Sequence, residues 1–164
     1  MLILHKVSDI VTQSKTYSFE INHLYNGIDA ERFWTFLLDL DWYTQSDIMK
    51  GEMLLVEKGQ KHPQGLGAIR RLTIDTIELT EKIVGFRPHE YFSYQVQPGG
   101  KGMPVHNYTG EFYLIPHKDG MMFRYVGSYQ QKYFGTGALL KWLFRSRIKT
   151  MLPIWEKGYH TYYQ

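Results

Sequence analysis

An arginine and a glutamate on neighbouring predicted strands have the clearest capacity for chemistry. Arg70 shares one face of its strand with Leu72, because alternate residues of a strand point to the same side. Glu81 shares the apolar face of the next strand with Leu79 and Ile83. A charge on an apolar face needs an opposite charge or several hydrogen bonds. We therefore predict that Arg70 and Glu81 lie close together, either as a polar anchor for a ligand or as a structural ion pair.

Three tyrosines on later strands face the same way as apolar neighbours. Tyr94, Tyr108 and Tyr125 each share a face with a phenylalanine two or four positions away. A phenolic hydroxyl donates and accepts hydrogen bonds and can supply a proton, although inward tyrosines also serve simply as packing. With the apolar stripe of the last helix, these residues predict a cavity lined by Arg70, Glu81, Tyr94, Tyr108, Phe112, Phe123, Tyr125, Met151 and Trp155.

Other patterns argue against several kinds of active site. The histidines are scattered and no His-Glu-x-x-His motif is present, so we predict no metal site and no cofactor. His106 lies in a predicted strand, either as a base at a pocket mouth or as an exposed strand residue. The lack of cysteine excludes disulfides, zinc thiolates, iron–sulfur clusters and thiol nucleophiles. The lack of Gly-x-Ser-x-Gly argues against a serine hydrolase.

The stretch GLGAIRR, residues 65–71, begins like a phosphate-binding glycine loop. A dinucleotide-binding loop needs a third glycine at its sixth position and a helix after it. Here Arg70 takes that position and strand alternation follows. The segment PGGKGMP, residues 98–104, lacks the ending of a Walker loop. Both are therefore predicted to be turns, and the first leads into a strand.

The elements that position these residues follow one order along the chain. Alternation over Thr16–Tyr25 predicts a strand, and the next segment, with Asp29 as its N-cap, predicts a helix. A strand is predicted around Met53–Glu57. Turn residues then separate five more strands, and the short spacings favour antiparallel hairpins. These five strands are Gly67–Ile74, Ile77–Phe86, Tyr91–Gln97, Val105–Ile115 and Met121–Gln131. A long helix ends the chain, and Pro153 is expected to kink it or divide it in two.

The composition indicates one globular domain. The chain has 164 residues, 43% of them hydrophobic, which suffices for a single domain with a substantial core. Its net charge of +3 is mild, so we predict no nucleic-acid partner. No signal peptide and no transmembrane helix is indicated. We predict one domain over residues 1–164, with residues 1–14 either part of it or an N-terminal extension, in the cytoplasm.

Three segments resemble the START-like (SRPBCC) superfamily, within its polyketide cyclase/dehydrase and lipid-transport group. Its opening strand and helix are similar to INHLYNGIDAERFWTFLLDLDWYTQ. Its glycine hairpin, glutamate-bearing strand and proline turn resemble GLGAIRR and ELTEKIVGFRPHEYFSYQV. Its last hairpin resembles YTGEFYLIPHKDGMMFRYVGSYQQK. The chain departs from the family pattern at Met121, where threonine is usual, and at Arg87, where aspartate is usual.

This resemblance covers residues 15–160 or so and implies a helix-grip fold. In that α+β fold, a bent antiparallel sheet of about seven strands wraps around a long C-terminal helix and encloses an apolar cavity. The resemblance implies binding of a lipid, sterol, polyketide or other hydrophobic small molecule. Some members of the family are cyclases or dehydratases. No catalytic residue set is shared across the family, so none is transferred to this chain.

The terminal helix also carries a basic amphipathic segment. Lys141, Arg145, Arg147 and Lys149 accompany Trp142 and Leu143. This segment either contacts an anionic membrane or is a solvated face of a helix that packs on the sheet.

Three functions remain open from the sequence. The first is binding of one hydrophobic molecule between sheet and helix. The second is a polyketide cyclase or dehydratase, with Glu81 or His106 as base and Arg70 or a tyrosine stabilising an enolate. The third is a membrane- or protein-interaction module that uses the basic helix. The oligomeric state and the identity of the ligand stay open.

Overall fold

The computed structural model describes residues 15–45, 51–74 and 77–164. The predicted extension at residues 1–14 and the predicted turn at residues 75–76 lie outside this part of the chain. The described elements are β1 (Thr16–Asn26), α1 (Ala30–Leu37), α2 (Leu40–Gln45), β2 (Gly51–Glu57), β3 (Ile69–Ile74), β4 (Ile77–Arg87), β5 (Tyr91–Val96), β6 (Val105–His117), β7 (Gly120–Gln131) and α3 (Gly137–Tyr162).

The strands form one antiparallel sheet of seven strands in the order β1-β7-β6-β5-β4-β3-β2. From β2 to β7, each strand pairs with the next along the chain, and β1 pairs with β7. The short connections cannot cross over to a parallel neighbour, so hairpins are the available pairing. The predicted α+β architecture, an antiparallel sheet of about seven strands with a long C-terminal helix, is confirmed.

Two short helices stand where the sequence indicates one continuous helical stripe. The Asp29 side chain accepts a hydrogen bond from the backbone N–H of Arg32 at 2.9 Å, so Asp29 is the N-cap of α1, as predicted. The Asp39 carboxylate accepts hydrogen bonds from the backbone N–H groups of Asp41 and Trp42, at 2.9 and 3.3 Å. This second cap starts α2 just after α1 ends.

Helix α3 packs against the inner face of the sheet and is tied to it near its N-terminus and past its midpoint. The Tyr129 hydroxyl donates to the carbonyl of Gly137 at 2.6 Å. The Tyr25 hydroxyl donates to the carbonyl of Leu152 at 2.9 Å. Gly137 is needed at the first contact, because a Cβ there would stand 2.1 Å from the Tyr17 ring.

Pro153 lies inside α3, which runs as one helix from residue 137 to residue 162. Proline has no backbone N–H and cannot bond to the carbonyl four residues earlier, that of Lys149. Both residues are exposed, so water can hydrate that carbonyl. Because α3 continues through Pro153, the prediction that this proline divides the segment into two helices is wrong.

The stretch at residues 65–71 is a turn that leads into β3, as predicted. Gly67 adopts φ +87°, a conformation that favours glycine. Its N–H donates to the carbonyl of Ile83 at 2.8 Å, which attaches the turn to β4. A Cβ on Gly65 would stand 2.4 Å from the carbonyl oxygen of Gln60. Both glycines therefore serve backbone packing, and the segment places Arg70 at the start of a strand.

Candidate functional site

A cavity of about 510 Å³ lies between the sheet, at strands β2 to β6, and the middle of α3, from Leu143 to Trp155. Its walls are mainly apolar and aromatic, as in small-molecule sites generally. The lining residues are Tyr43, Met53, Arg70, Leu72, Ile77, Leu79, Glu81, Phe92, Tyr94, Val96, Met103, Tyr108, Phe112, Leu143, Phe144, Arg147, Ile148, Met151 and Trp155. Leu143 and Arg147 are exposed whereas the other lining residues are buried or half-buried, so the mouth lies beside α3.

Arg70 and Glu81 form an ion pair inside the cavity, which confirms that they lie close together. Arg70 Nη2 stands 2.7 Å from Glu81 Oε2, and the two residues are 4% and 5% exposed. They are directly opposite each other in the β3–β4 ladder, so strand register alone brings them together. The pair places two opposite charges at one point of an otherwise apolar wall.

Further contacts hold the guanidinium of Arg70 in place. Gln64 accepts from Arg70 Nη1 at 3.4 Å through Oε1, and its amide nitrogen donates to the carbonyl of Leu38. The guanidinium carbon lies 5.6 Å from the ring centre of Phe92 and 6.0 Å from that of Tyr94, within cation–π range. Arg70 Nε has no hydrogen-bond partner among the described residues. One N–H of Arg70 is therefore both inaccessible and without a hydrogen-bond partner among the described residues.

A chain of three tyrosine hydroxyls lies next to this ion pair. The Tyr125 hydroxyl is 3.1 Å from that of Tyr94 and 2.7 Å from that of Tyr108. Three hydroxyls supply three donors and the two bonds between them use two, so one donor remains. Gly110 makes room for this arrangement, because a Cβ there would stand 2.5 Å from the Tyr94 ring.

Burial controls the protonation of these groups. Loss of hydration raises the pKa of the Glu81 carboxyl above its ordinary value, and the adjacent Arg70 charge opposes this rise. Burial likewise raises the pKa of Tyr94, Tyr108 and Tyr125, so their hydroxyls stay protonated near neutral pH. The cavity thus holds protonated phenols beside a carboxylate with enhanced basicity.

Most of the predicted lining residues meet in this cavity, and two do not. The cavity surface includes Arg70, Glu81, Tyr94, Tyr108, Phe112, Met151 and Trp155. Phe123 lies one layer behind it, with its ring centre 5.7 Å from that of Phe112 and 5.4 Å from that of Trp155. Tyr125 is fully buried and reaches the site only through its hydroxyl. Strand alternation predicts the face of the sheet on which a residue lies. It does not predict whether an inward residue lines the cavity or packs in the solid core.

Several lining residues were absent from the predicted set. Leu72 and Leu79 share strand faces with Arg70 and Glu81, so alternation could have identified them. Phe144 and Ile148 belong to the predicted apolar stripe of α3. Tyr43 comes from the short helix α2, and no local pattern in the sequence indicates its position at the cavity.

His106 does not lie at the main cavity. A bulge between His106 and Thr109 shifts the β6–β7 register, and Asn107 there adopts φ +51°. The bulge leaves His106 exposed beside a second, smaller depression of about 360 Å³. His106 is an exposed strand histidine, as one of its two predicted interpretations has it, and a role as base in the main cavity finds no support because His106 does not line that cavity. Among the residues that the structure describes, no group of three or more His, Asp and Glu side chains could hold a metal ion.

The basic residues of α3 divide into two sets. Arg147 lines the cavity mouth, whereas Lys141, Arg145 and Lys149 lie outside the lining. All four are exposed. No helix within the described ranges is long and apolar enough to cross a bilayer.

Comparison with known proteins identifies the fold. No protein-family model and no curated protein sequence matches the chain. A START superfamily protein from Mycobacterium smegmatis superposes with a TM-score of 0.71 at 11% identity, over 89% of this chain and 97% of that chain. An aromatase/cyclase from a Streptomyces species superposes with a TM-score of 0.68 at 12% identity, over 92% and 96%. A norcoclaurine synthase point mutant from Thalictrum flavum, in complex with a transition-state analogue, gives 0.62 at 18% identity, over 93% and 100%.

These similarities show that the chain has the START-like, helix-grip fold, as predicted. All three identities are below a fifth, so the likeness extends to the fold and not to a set of functional residues.

Proposed function

We propose that the protein binds one hydrophobic small molecule, of lipid, polyketide or aromatic type, in the cavity between the sheet and α3. The observation that supports this most directly is a largely apolar cavity of about 510 Å³ with one polar cluster on its wall. That volume falls within the range of about 300–1,000 Å³ typical of small-molecule sites. The similar fold of a START superfamily protein and of an aromatase/cyclase is consistent with such a ligand.

Apolar burial supplies the driving force for binding. A ligand that buries about 300 Å² of apolar surface gains about 7.5 kcal/mol at 25 cal/mol per Å². Part of this gain is offset by the lost freedom of the ligand. Micromolar binding requires about 8 kcal/mol in total, so a few polar contacts must add to the apolar term.

The polar cluster favours a ligand whose buried part is uncharged. Arg70 already neutralises Glu81, so a carboxylate inside the cavity would compete with Glu81 for the guanidinium. A carbonyl or hydroxyl oxygen instead accepts from the spare tyrosine hydroxyl beside the ion pair. A charged headgroup is accommodated only at the mouth, next to Arg147. The proposed place of action is the cytoplasm, which cell fractionation tests.

Titration with an uncharged naphthylamine probe, whose fluorescence rises in apolar surroundings, tests the proposal. Ile148 is half-buried and faces the cavity, so Ile148→Trp fills the binding space. Thr150 is exposed on the same helix and outside the lining, so Thr150→Trp is the matched control. We expect saturable binding by the wild type and by Thr150→Trp, and none by Ile148→Trp. Equal binding by all three folded proteins would place the probe elsewhere and count against the proposal.

A second candidate, proton abstraction next to a carbonyl group, is favoured by Glu81. Its carboxylate lines the cavity with a raised pKa, as a general base acting near neutral pH requires. The carboxylate would take the proton, the C–H electron pair would form an enolate, and a tyrosine hydroxyl would donate a hydrogen bond to the enolate oxygen, with the Arg70 charge nearby. This chemistry is the first step of a cyclase- or dehydratase-like reaction.

Hydrogen–deuterium exchange of an aryl methyl ketone in heavy water separates this candidate from simple binding. We expect exchange above the buffer rate with the wild type and at the buffer rate with Glu81→Gln. Probe binding by the Glu81→Gln protein confirms that its cavity is intact. Wild-type exchange at the buffer rate would reject the second candidate and leave the binding function standing.

A further inference from the structure

An exposed apolar surface surrounds the start of α3. Phe134 is 100% exposed in the turn after β7, and Tyr133 before it is 57% exposed. In the first turns of α3, Leu139, Trp142 and Leu143 are 59%, 65% and 44% exposed. We refer to residues 132–149 with these exposed side chains as the entrance surface.

Helical geometry separates the entrance surface from the packed side of α3. Leu139, Trp142 and Leu143 follow the i, i+3, i+4 spacing of one helical face. Leu140 and Phe144 face the other way, towards the sheet and the cavity. The helix is therefore apolar on both sides, and Leu139 and Trp142 of its outer side stay exposed within the described part of the chain.

The two most exposed rings of this surface, those of Phe134 and Trp142, make no contact with another ring in the described part of the chain. Trp34 and Trp155 each pack against several rings, whereas neither Phe134 nor Trp142 takes part in an aromatic pair. Exposure of the whole Phe134 ring and most of the Trp142 ring to water is unfavourable, because apolar surface is stabilised by removal from water. Contact with an apolar partner would remove these rings from water and so be favourable.

The charge of the entrance surface indicates what covers it. Residues 132–149 include five basic side chains, Lys132, Lys141, Arg145, Arg147 and Lys149, and no acidic one. The whole chain has a net charge of +3, so the rest of it carries 3 − 5 = −2. No ion pair between described residues involves any of these five cations. The positive charge is thus concentrated on the surface with the exposed aromatic rings, and no carboxylate of the described residues forms an ion pair with it.

The entrance surface also borders the mouth of the cavity. Leu143 belongs to both, since it lines the cavity and is 44% exposed. Arg147 lines the cavity one turn further along the same helix. A flat apolar phase that covered Phe134 and Trp142 would therefore lie against the mouth.

We infer that the entrance surface docks on a bilayer that contains anionic lipids, with Phe134 and Trp142 among the headgroups. Basic residues that flank exposed aromatic and leucine side chains match the requirements of an interfacial membrane contact. A second copy of the chain is disfavoured, because a symmetric contact would bring two sets of five cations together. Docking places the cavity mouth at the membrane, where a hydrophobic ligand can move between bilayer and protein without crossing water.

Sedimentation with vesicles tests this surface independently of any ligand. We expect the full chain to bind vesicles of phosphatidylcholine mixed with phosphatidylserine and to bind phosphatidylcholine alone much more weakly. Added salt should release the protein. The Lys141→Glu/Arg145→Glu variant should bind more than about 25-fold more weakly, at about fivefold for each cation removed. The matched control Lys58→Glu/Lys118→Glu changes the net charge equally at exposed sites elsewhere and should bind like the wild type.

The apolar part of the contact has its own variants. Phe134→Ser and Trp142→Ser should each weaken vesicle binding, whereas Val84→Ser, at a site 45% exposed on the sheet, should not. Trp142 is the most exposed tryptophan, so its emission should shift to the blue on vesicle binding. The shift should disappear in Trp142→Phe.

Several results would overturn the inference. Among them are vesicle binding that the control variants weaken as much as the entrance-surface variants, and no binding to the anionic vesicles. A wild-type dimer that Phe134→Ser dissociates would assign the surface to a second copy instead. Salt-sensitive binding of single-stranded nucleic acid that competes with vesicles would assign it to that partner. Probe binding in the cavity is measured separately, so failure here leaves the proposed ligand function intact.

Discussion

At the scale of single residues, the ion pair in the cavity governs how the stability of the protein responds to substitution of either partner. Arg70 and Glu81 are almost completely buried and 2.7 Å apart, so each neutralises the other in a region that water hydrates poorly. A buried pair of this kind contributes little net stability, but the loss of one partner leaves an uncompensated charge. We therefore expect the pair to respond very differently to single and double substitution.

Arg70→Met should lower the free energy of unfolding by about 3–5 kcal/mol, because Glu81 then remains buried without its partner. Arg70→Met/Glu81→Leu removes both charges and should recover most of that loss. Denaturant unfolding of the three proteins checks this, with Arg71→Met as an exposed control on the same strand. A double variant as unstable as the single one would show that the charges themselves stabilise the fold.

The raised pKa of Glu81 should make the folded protein less stable as the pH increases. Its folded-state pKa is raised above the ordinary value of 4.5, so the folded state holds the proton more tightly than the unfolded state does. The contribution of Glu81 to stability is complete below pH 4.5 and falls as pH rises through the folded-state pKa. Unfolding measured across this range should show the decline in the wild type. In Glu81→Gln the decline should be absent, and an unchanged slope there would assign it to another group.

Sequence patterns located the charged residues of the site better than the aromatic ones. Arg70 and Glu81 stand out because charges on apolar strand faces are rare, and their ladder register then brings them together. Phe123 and Tyr125 share the inner face of β7, but that face packs on other rings and not on the cavity. Whether an inward residue meets a cavity depends on tertiary packing, which strand periodicity does not encode.

At the scale of elements, α3 joins the parts of the molecule. Its N-terminal turns carry the entrance surface, its middle closes the cavity from Leu143 to Trp155, and its C-terminal turns pack against α1 and α2. Gly158 permits the second contact, because a Cβ there would stand 2.1 Å from the Trp42 ring. The position of α2, and with it Tyr43 of the cavity wall, depends on this close approach.

Gly158→Ala should destabilise the protein despite the higher helix propensity of alanine. The added methyl group overlaps a packed ring, and overpacking of this kind costs about 1–3 kcal/mol. Thermal unfolding compared with Lys157→Ala, at an exposed site on the same helix, measures the effect. A Gly158→Ala protein that is more stable than the wild type would show that Trp42 can move at little cost.

The order and type of the elements followed from the sequence, whereas some of their irregularities did not. Alternation and turn residues identified the sheet and the final helix. The break between α1 and α2 arises because Asp39 caps the start of α2. In the sequence, Asp39 cannot be told from an exposed aspartate within a continuous helix. The β6 bulge that turns His106 outwards depends on a left-handed conformation at Asn107, which strand alternation does not anticipate.

At the scale of the whole molecule, the helix-grip fold has a solid part and a hollow part. Around β1, β7 and α1, the rings of Tyr25, Phe33 and Phe123 pack against one another and fill the space under the sheet. Around β3 to β5, smaller side chains such as Leu72 and Leu79 leave the cavity open. The solid part supports the sheet so that the hollow part can accept a ligand.

The membrane contact that we infer belongs to the same scale, because it would combine the cavity mouth with a surface that the described part of the chain leaves exposed. Ligand entry from a bilayer requires the mouth and the docking residues to lie on one side of the molecule. Leu143 meets this requirement by contributing to both. Cavity binding and membrane docking remain separately measurable properties.

Native mass spectrometry of the freshly purified protein, followed by solvent extraction, tests the central claim of a hydrophobic ligand in the cavity most directly. We predict one uncharged hydrophobic species per wild-type chain, retained by Thr150→Trp and lost from Ile148→Trp. A wild-type protein that is empty, and that shows no thermal shift with lipids or aromatic polyketides, would contradict the claim.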